Sequence, residues 1–160
     1  MSGRGGSGAR GGGPDGGAAP HEMGYGDALS RPYWAAAAEG RLLVQRCTVC
    51  GAHQFYPRPF CLACQDKVEW VETSGRGKIY SLTTNHLKTT PELEPPYYVA
   101  LVRLEEGPVL LTRIVDAAGA PLAEGAAIGD EVVVAWHPRE DAPPLPVFTI
   151  IHQRDGTAST

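Results

Sequence analysis

With 160 residues and a net charge of -4, the chain can form one ordinary domain, or two small lobes with a tail. The negative charge disfavours nucleic-acid phosphates as the main partner. No stretch of 18 apolar residues occurs, and glycines and arginines follow Met1 where a secretion signal would be apolar. The sequence therefore predicts neither a membrane span nor secretion, but a cytoplasmic protein.

The first segment is rich in glycine, which accounts for nine of the first seventeen residues. A segment of this composition cannot bury enough apolar surface to fold. Residues 1–27 are therefore predicted to form a disordered tail, and residues 153–160 a flexible C-terminus.

A short helix is predicted over residues 28–40, with Ser30 as its N-cap and Gly40 as its stop. Two to three turns are too few for a helix to be stable alone. We therefore expect Tyr33 and Trp34 to pack on another element. That element can be this chain's own ribbon or a partner subunit, and the sequence leaves both interpretations open.

The four cysteines fall as two Cys-x-x-Cys pairs within residues 41–73, Cys47 with Cys50 and Cys61 with Cys64. Two such pairs on neighbouring turns place four thiolates at the corners of a tetrahedron, as a structural Zn²⁺ requires. No cysteine is left over, so the spacing predicts a zinc ribbon. A four-thiolate site has no open coordination position, so the metal is expected to be structural and not catalytic.

Other uses of four cysteines fit less well. Two disulfides would suit a secreted chain, and a thioredoxin-like redox pair needs a helix after each pair, which the sequence does not suggest. Rubredoxin-type iron is harder to separate from zinc, because four thiolates hold it equally well. We expect zinc, with iron as the alternative.

The rest of the chain reads as short β-type segments bounded by turn residues, at 78–86, 97–104, 109–115, 131–136 and 146–151. Five short strands with no helical period favour a small closed barrel. Residues 116–127 contain three turn-forming residues and are predicted to be a loop. Strict alternation in the first strand predicts one face made of Ile79, Ser81 and Thr83 and an opposite face made of Tyr80, Leu82 and Thr84.

Several motifs, taken in order, resemble the DUF35 family of zinc-ribbon/OB-fold proteins associated with acyl-CoA enzymes. The resemblance covers residues 32–150, and its main departure within them is Leu62, where the family often has proline. Its motifs are Arg46-Cys47-x-x-Cys50-Gly51, Cys61-x-x-Cys64, Glu69-Trp70, Ser74-Gly75-x-Gly77-x-x-Tyr80-Ser81, Pro96-Tyr97-x-Val99-Ala100-Leu101, Glu106-Gly107-Pro108 and Ile128-Gly129-x-x-Val132.

The resemblance implies a mainly β protein with a short N-terminal helix, a rubredoxin-like zinc ribbon over residues 41–73 and a five-stranded OB-fold over residues 74–152. It also implies a role as an accessory subunit of a thiolase-fold enzyme (thiolase, aldolase or acyltransferase) or of a hydratase. In that setting the chain would stabilise the partner and help to form its acyl-CoA site.

The residues themselves argue against catalysis by this chain. Acyl transfer through a covalent intermediate needs a free thiolate, and all four cysteines are assigned to metal. Three histidines could act as a base, but none has a recognisable partner motif, and surface positions are expected for His86, His137 and His152. No catalytic residue is therefore predicted.

Two sets of contact residues are proposed from residue type. Partner contacts are expected from the aromatic side chains in or beside the ribbon, Tyr33, Trp34 and Trp70. Contacts to the phosphates of CoA, or to the mouth of its channel, are expected from Arg103, Arg113 and Lys88, although ordinary solvated charges would look the same.

The competing function is a single-stranded nucleic-acid-binding module, because OB-folds and zinc ribbons both bind single strands. Such a surface needs a basic groove with stacking aromatics. The strands carry Tyr80, Tyr97 and Tyr98 but few cations. We therefore expect a protein partner and no nucleic acid or membrane partner.

Overall fold

The computed structural model describes residues 26–91 and 93–151. The predicted tail up to residue 25, the predicted flexible C-terminus and His152 lie outside these residues. The described residues form one α-helix and eight β-strands. In this part of the chain no helix is long and apolar enough to cross a bilayer.

The helix α1 spans Arg31–Ala38 and follows Ser30. The Ser30 side chain does not cap the helix; its backbone N–H and its hydroxyl both donate to Asp27 Oδ1, at 2.7 Å each. At the other end, Gly40 has a φ of +75°. The N–H groups of Gly40 and Arg41 donate to carbonyls of the last helical turn. This is the hydrogen-bond pattern with which glycine ends a helix.

A three-stranded antiparallel sheet follows the helix. Its strands are β1 (Leu43–Cys47), β2 (His53–Gln54) and β3 (Val68–Glu72), in the order β2-β1-β3. The sequence predicted a strand only over residues 41–46. The other two strands are defined by their pairing with β1: β2 lies just across the first cysteine turn, and β3 returns from beyond the second.

The remaining strands close into a barrel with the order β4-β5-β6-β8-β7. Neighbours are antiparallel except β6 and β8, which run parallel, with Ile114 opposite Phe148. This is the predicted mainly β architecture with a five-stranded barrel. The strands are β4 (Arg76–Asn85), β5 (Tyr97–Leu104), β6 (Val109–Val115), β7 (Glu131–His137) and β8 (Leu145–Ile150).

One continuous apolar core joins the helix, the ribbon and the barrel. Side chains from all three belong to it, among them Tyr33, Val44 and Phe148, and Phe148 is fully buried. Fully burying an apolar side chain of this size contributes about 1.5–3 kcal/mol. The ribbon and the barrel therefore pack as one unit through this shared core.

The alternation predicted for the first barrel strand is wrong after Ile79. Ile79 pairs with Val102, but Ser81 pairs with the adjacent Leu101, so Tyr80 is an extra residue in a β-bulge. The bulge shifts the following residues to opposite faces. As a result Leu82 packs against the core on the same side as Ile79, and Tyr80 is exposed.

The connection between β6 and β7 is a loop, as predicted. It contains no helical turn over residues 116–130, which lie within the described part of the chain. Leu122 and Ala126 from this loop pack against the core, and the Leu122 N–H donates to Ile114 O at 3.1 Å. Two side chains therefore cover a part of the barrel where a helix often sits in an OB-fold.

Candidate functional site

The first cysteine pair lies in a tight turn at the end of β1. The Cys47 N–H donates to Ala52 O at 2.9 Å, and the Gly51 N–H donates back to Cys47 O at 3.1 Å. Gly51 has a φ of +73°, which glycine adopts without steric cost. The turn places Cys47 and Cys50 on the same side, so both sulfurs face the second pair.

The second pair repeats this turn. The Cys61 N–H donates to Asp66 O at 2.8 Å, and the Gln65 N–H donates to Cys61 O at 2.9 Å. Gln65 occupies the position that corresponds to Gly51 and has a φ of +60°, although it is not glycine. Asparagine, aspartate and glycine are the usual residues there, so the second turn is the more strained of the two.

The two turns bring the four sulfurs together. All four Sγ atoms lie within 4.8 Å of one another, with Cys47 to Cys64 at 3.5 Å and Cys50 to Cys61 at 3.7 Å. Tetrahedral zinc with Zn–S bonds of about 2.3 Å separates its sulfurs by about 3.8 Å. The cysteines are free, and both separations exceed the roughly 2.05 Å of a disulfide. These residues fit a four-thiolate metal site and can bind a metal.

Backbone N–H groups prepare two of the sulfurs for the thiolate form. Cys50 N–H and Val49 N–H each donate to Cys47 Sγ at 3.4 Å, and these bonds lower the pKa of Cys47 to about 6. The N–H groups of Cys64 and Ala63 lower the pKa of Cys61 in the same way. The neighbouring thiols raise the pKa of Cys50 and of Cys64, so the turns favour the thiolate form at the first cysteine of each pair only.

Two buried glutamines, which sequence reasoning missed, hold the segment between the turns. Gln45 and Gln54 face each other on β1 and β2 and are 2% and 8% exposed. Gln45 Nε2 donates to Arg58 O at 3.0 Å, and Gln45 Oε1 accepts from Arg58 N–H at 2.8 Å.

Gln54 completes the same network. Its Nε2 donates to Gln45 Oε1 at 3.0 Å and to Phe60 O at 3.1 Å, and its Oε1 accepts from Leu62 N–H at 3.0 Å. The segment between the two turns lies outside the sheet. The two glutamine side chains give its backbone groups the hydrogen-bond partners that a neighbouring strand would otherwise provide. The only sequence signal was a polar residue at a position that alternation makes inward.

The substitution Gln45→Leu is expected to lower the free energy of unfolding by about 2 kcal/mol, because it removes the partners of the Arg58 backbone and of the buried Gln54 amide. The measurement is a urea titration of the metal-loaded protein. The control is the neighbouring Arg46→Ala, which removes an exposed ion pair with Glu69 at 2.7 Å. That pair is worth roughly 0–1 kcal/mol. Equal losses in the two variants would contradict a structural role for the glutamine network.

The three predicted partner-contact aromatics are not equally available. Tyr33 is 4% exposed, and its ring centroid lies 5.5 Å from Phe55 and 6.3 Å from Trp70. Burial raises the pKa of the Tyr33 hydroxyl. Tyr33 therefore packs on this chain's own ribbon, the first of the two interpretations above. Trp34 and Trp70 are half-buried, and their contact with a partner stays a prediction.

The predicted CoA contacts do not lie together. Arg103 Cζ lies 4.5 Å from the Tyr80 ring centroid, and Lys88 pairs with Glu94 in the loop after β4. Arg113 is half-buried and stands at the opposite end of the β5–β6 pair from Arg103. A single phosphate site formed by all three side chains is therefore excluded by the fold.

Arg113 instead lines a groove of about 940 Å³, which the sequence did not predict. Strands β5, β6 and β8, the end of β7 and the loops 86–96 and 138–144 form its walls. Numbered along the chain, β5, β6 and β8 are the second, third and fifth strands of the barrel, and the two loops join the first strand to the second and the fourth to the fifth. OB-folds bind oligonucleotides and oligosaccharides on the face formed by strands two and three and these two loops.

The groove wall made by loop 86–96 is anchored to the barrel. Asn85 Nδ2 donates to the Tyr97 hydroxyl oxygen at 2.6 Å, and Thr89 Oγ1 lies 3.0 Å from the same oxygen. Tyr97 itself is 3% exposed. These contacts hold the start of the loop against the first residue of β5.

His137, for which a surface position was predicted, is half-buried in the groove wall at the end of β7. Burial lowers its pKa, and the charges of Arg113 and Arg139 lower it further. Both effects favour the neutral imidazole of His137. His86 is exposed, as predicted.

Two family models match consecutive parts of the chain. Residues 34–69 match the one described as "ChsH2, rubredoxin-like zinc ribbon domain", and residues 70–137 match "ChsH2, C-terminal OB-fold domain". The first match contains all four cysteines, and the second contains most of the barrel.

Comparison with curated proteins finds partial relatives. A "Probable enoyl-CoA hydratase alpha subunit" of Thermomonospora curvata is 37% identical over 118 residues, which are 72% of this chain and 35% of that protein. A "DUF35 domain-containing scaffold protein" of Methanocaldococcus jannaschii is 36% identical over 78 residues, which are 47% of this chain and 55% of that protein. The chain thus spans about a third to a half of the length of these relatives.

Among solved structures, a chain of the "Ltp2-ChsH2(DUF35) aldolase" has a TM-score of 0.69 and 33% sequence identity to this chain. The likeness covers 79% of this chain and 97% of the other. It therefore extends over the ribbon and the barrel together.

Proposed function

This chain belongs to the DUF35 family, and we propose that it is a non-catalytic accessory subunit of an acyl-CoA-processing complex. It binds a thiolase-fold enzyme (thiolase, aldolase or acyltransferase) or a hydratase and helps to form that partner's acyl-CoA site. Cys47, Cys50, Cys61 and Cys64 hold a structural zinc that braces the ribbon, with iron as the less favoured metal.

The observation that carries this proposal is the convergence of all four cysteines of the chain on one point. When zinc is bound there, it supplies structural bracing and no open coordination position. A thiolase-type nucleophile would need one of the same sulfurs. The relatives, which are described as a scaffold protein, a hydratase subunit and a part of an aldolase, agree with a role beside an enzyme.

The alternative of a nucleic-acid module has less support. Stacking of bases needs exposed aromatic faces in the ligand groove. Tyr97 is the aromatic residue among those that line the groove, and it is 3% exposed. A mobility shift with single-stranded DNA or RNA at low salt and micromolar protein would revive this alternative.

The proposal is tested by purifying the tagged full chain from its native cells. A thiolase-fold or hydratase protein, identified by mass spectrometry, is expected to co-purify in a fixed ratio. The chain alone is expected to show no turnover of a CoA thioester. Turnover by the isolated chain, or a partner of neither enzyme class, would overturn the proposal.

The same purification tests the partner contact. Trp34→Ala is expected to reduce retention of the partner about tenfold or more, because half-buried aromatics dominate the energy of many interfaces. The matched control is Ile128→Ala, an apolar side chain that is 68% exposed in the loop before β7. Equal retention by the two variants would remove Trp34 from the interface.

A further inference from the structure

The groove beside Arg113 differs in chemistry from a site for a nucleotide. We infer that it holds the acyl–pantetheine arm of a CoA thioester and leaves the adenine nucleotide to other surfaces. This inference rests on the proposed function, from which it takes the thioester. It adds which part of the ligand this chain contacts.

The first support is the apolar lining. Leu93 from the loop 86–96 and Val99, Leu111, Leu145 and Val147 from the strands all line the groove. Leu111 is 61% exposed, so most of its side chain lies outside the core and can contact a ligand. A groove of about 940 Å³ lies within the usual size range of small-molecule sites, about 300–1,000 Å³.

The second support is the charge. Two arginines, Arg113 and Arg139, line the groove, and Glu140 in the same lining offsets one of them. Arg139 Nε donates to Pro143 O at 2.8 Å, and its guanidinium lies 5.5 Å from the Trp34 ring centroid. The groove therefore presents little net positive charge. The phosphorylated nucleotide of CoA carries several negative charges, whereas the acyl–pantetheine arm is neutral.

The third support is the hydrogen-bonding capacity of the lining. Thr90 can donate a hydrogen bond to an amide carbonyl of pantetheine. Arg113 can donate to the second amide or to the thioester oxygen.

Calorimetric titration of the full, metal-loaded chain tests the inference with three probes: octanoyl-pantetheine, octanoyl-CoA and CoA without an acyl group. The first two are expected to bind with similar affinity, and CoA about tenfold or more weakly. Leu111→Asp is expected to weaken binding of octanoyl-pantetheine at least tenfold, because it places a carboxylate against the arm. Ile128→Asp, an equally exposed site outside the groove, is expected to change it less than about twofold.

Thermal unfolding of both variants checks that they are folded, and Leu111→Gln serves as a second, uncharged variant. Binding of CoA as tight as that of octanoyl-CoA would show that the acyl chain makes no contact with the groove and would overturn the inference. Unchanged binding by Leu111→Asp, or no binding of octanoyl-pantetheine up to about 1 mM, would also overturn it. Failure of the proposed function has a different signature, since it shows as turnover by this chain or as the wrong partner.

Discussion

Replacing Cys47 by serine is expected to abolish tight metal binding and to unfold the ribbon. Cys47 is 1% exposed, and its sulfur lies at the meeting point of the four thiolates. Binding of a structural zinc can supply on the order of 10 kcal/mol of folding free energy to a small lobe. A hydroxyl cannot replace the thiolate, so most of this contribution is lost. Removal of the metal with a strong chelator is expected to have the same effect on the unsubstituted chain.

The measurement is metal content by mass spectrometry together with near-ultraviolet circular dichroism and thermal unfolding. One zinc per chain is expected for the unsubstituted protein; a red protein that bleaches on reduction would identify iron. The control is Val49→Ser, a substitution between two ligands at a residue that is 68% exposed. It is expected to change stability by less than about 0.5 kcal/mol. An unchanged melting temperature after complete metal removal would contradict the bracing role.

Replacing Tyr33 by alanine is expected to lower the free energy of unfolding by about 3–5 kcal/mol, the usual cost of deleting a buried aromatic ring. The ring contacts Trp34, Phe55 and Trp70, and so joins α1 to the ribbon. An eight-residue helix is too short to persist without this packing. Loss of the ring is therefore expected to release the helix as well as to leave a cavity.

Urea titration of the metal-loaded chain measures the effect, with Tyr33→Phe as the control. That variant keeps the ring and is expected to lose less than about 1.5 kcal/mol. If Tyr33→Ala unfolds like the unsubstituted protein but no longer retains the partner enzyme, the ring serves the interface and not this chain's core. Loss of stability without Tyr33 would support the packing seen here.

Local patterns predicted those parts of the fold that local chemistry controls. The cysteine spacing indicated the metal-binding turns, and turn residues marked strands β5 and β6 at their observed bounds. Gly40 ends the helix with a positive φ, and this end was predictable because the conformation depends on the glycine alone. The loop after β6 was likewise readable from its own turn-forming residues.

Features that depend on distant partners could not be predicted in this way. The bulge at Tyr80 is visible only in the pairing of β4 with β5. The glutamine pair in the ribbon is defined by the register of β1 with β2, and Gln45 and Gln54 look like surface residues in the sequence. The groove arises because the barrel brings His137 and Arg113 side by side from strands that are separated along the chain.

The position of β8 between β6 and β7 sets an order of events during synthesis on the ribosome. The ribbon uses residues 43–72 and can bind its metal as soon as this short segment has emerged. The barrel cannot close until Leu145–Ile150 has also emerged, because β6 and β7 each pair with that strand. Until then both neighbours expose unpaired edges, which makes the nascent chain prone to aggregation over this interval. A lobe already locked by its metal gives the growing barrel a folded surface on which to assemble.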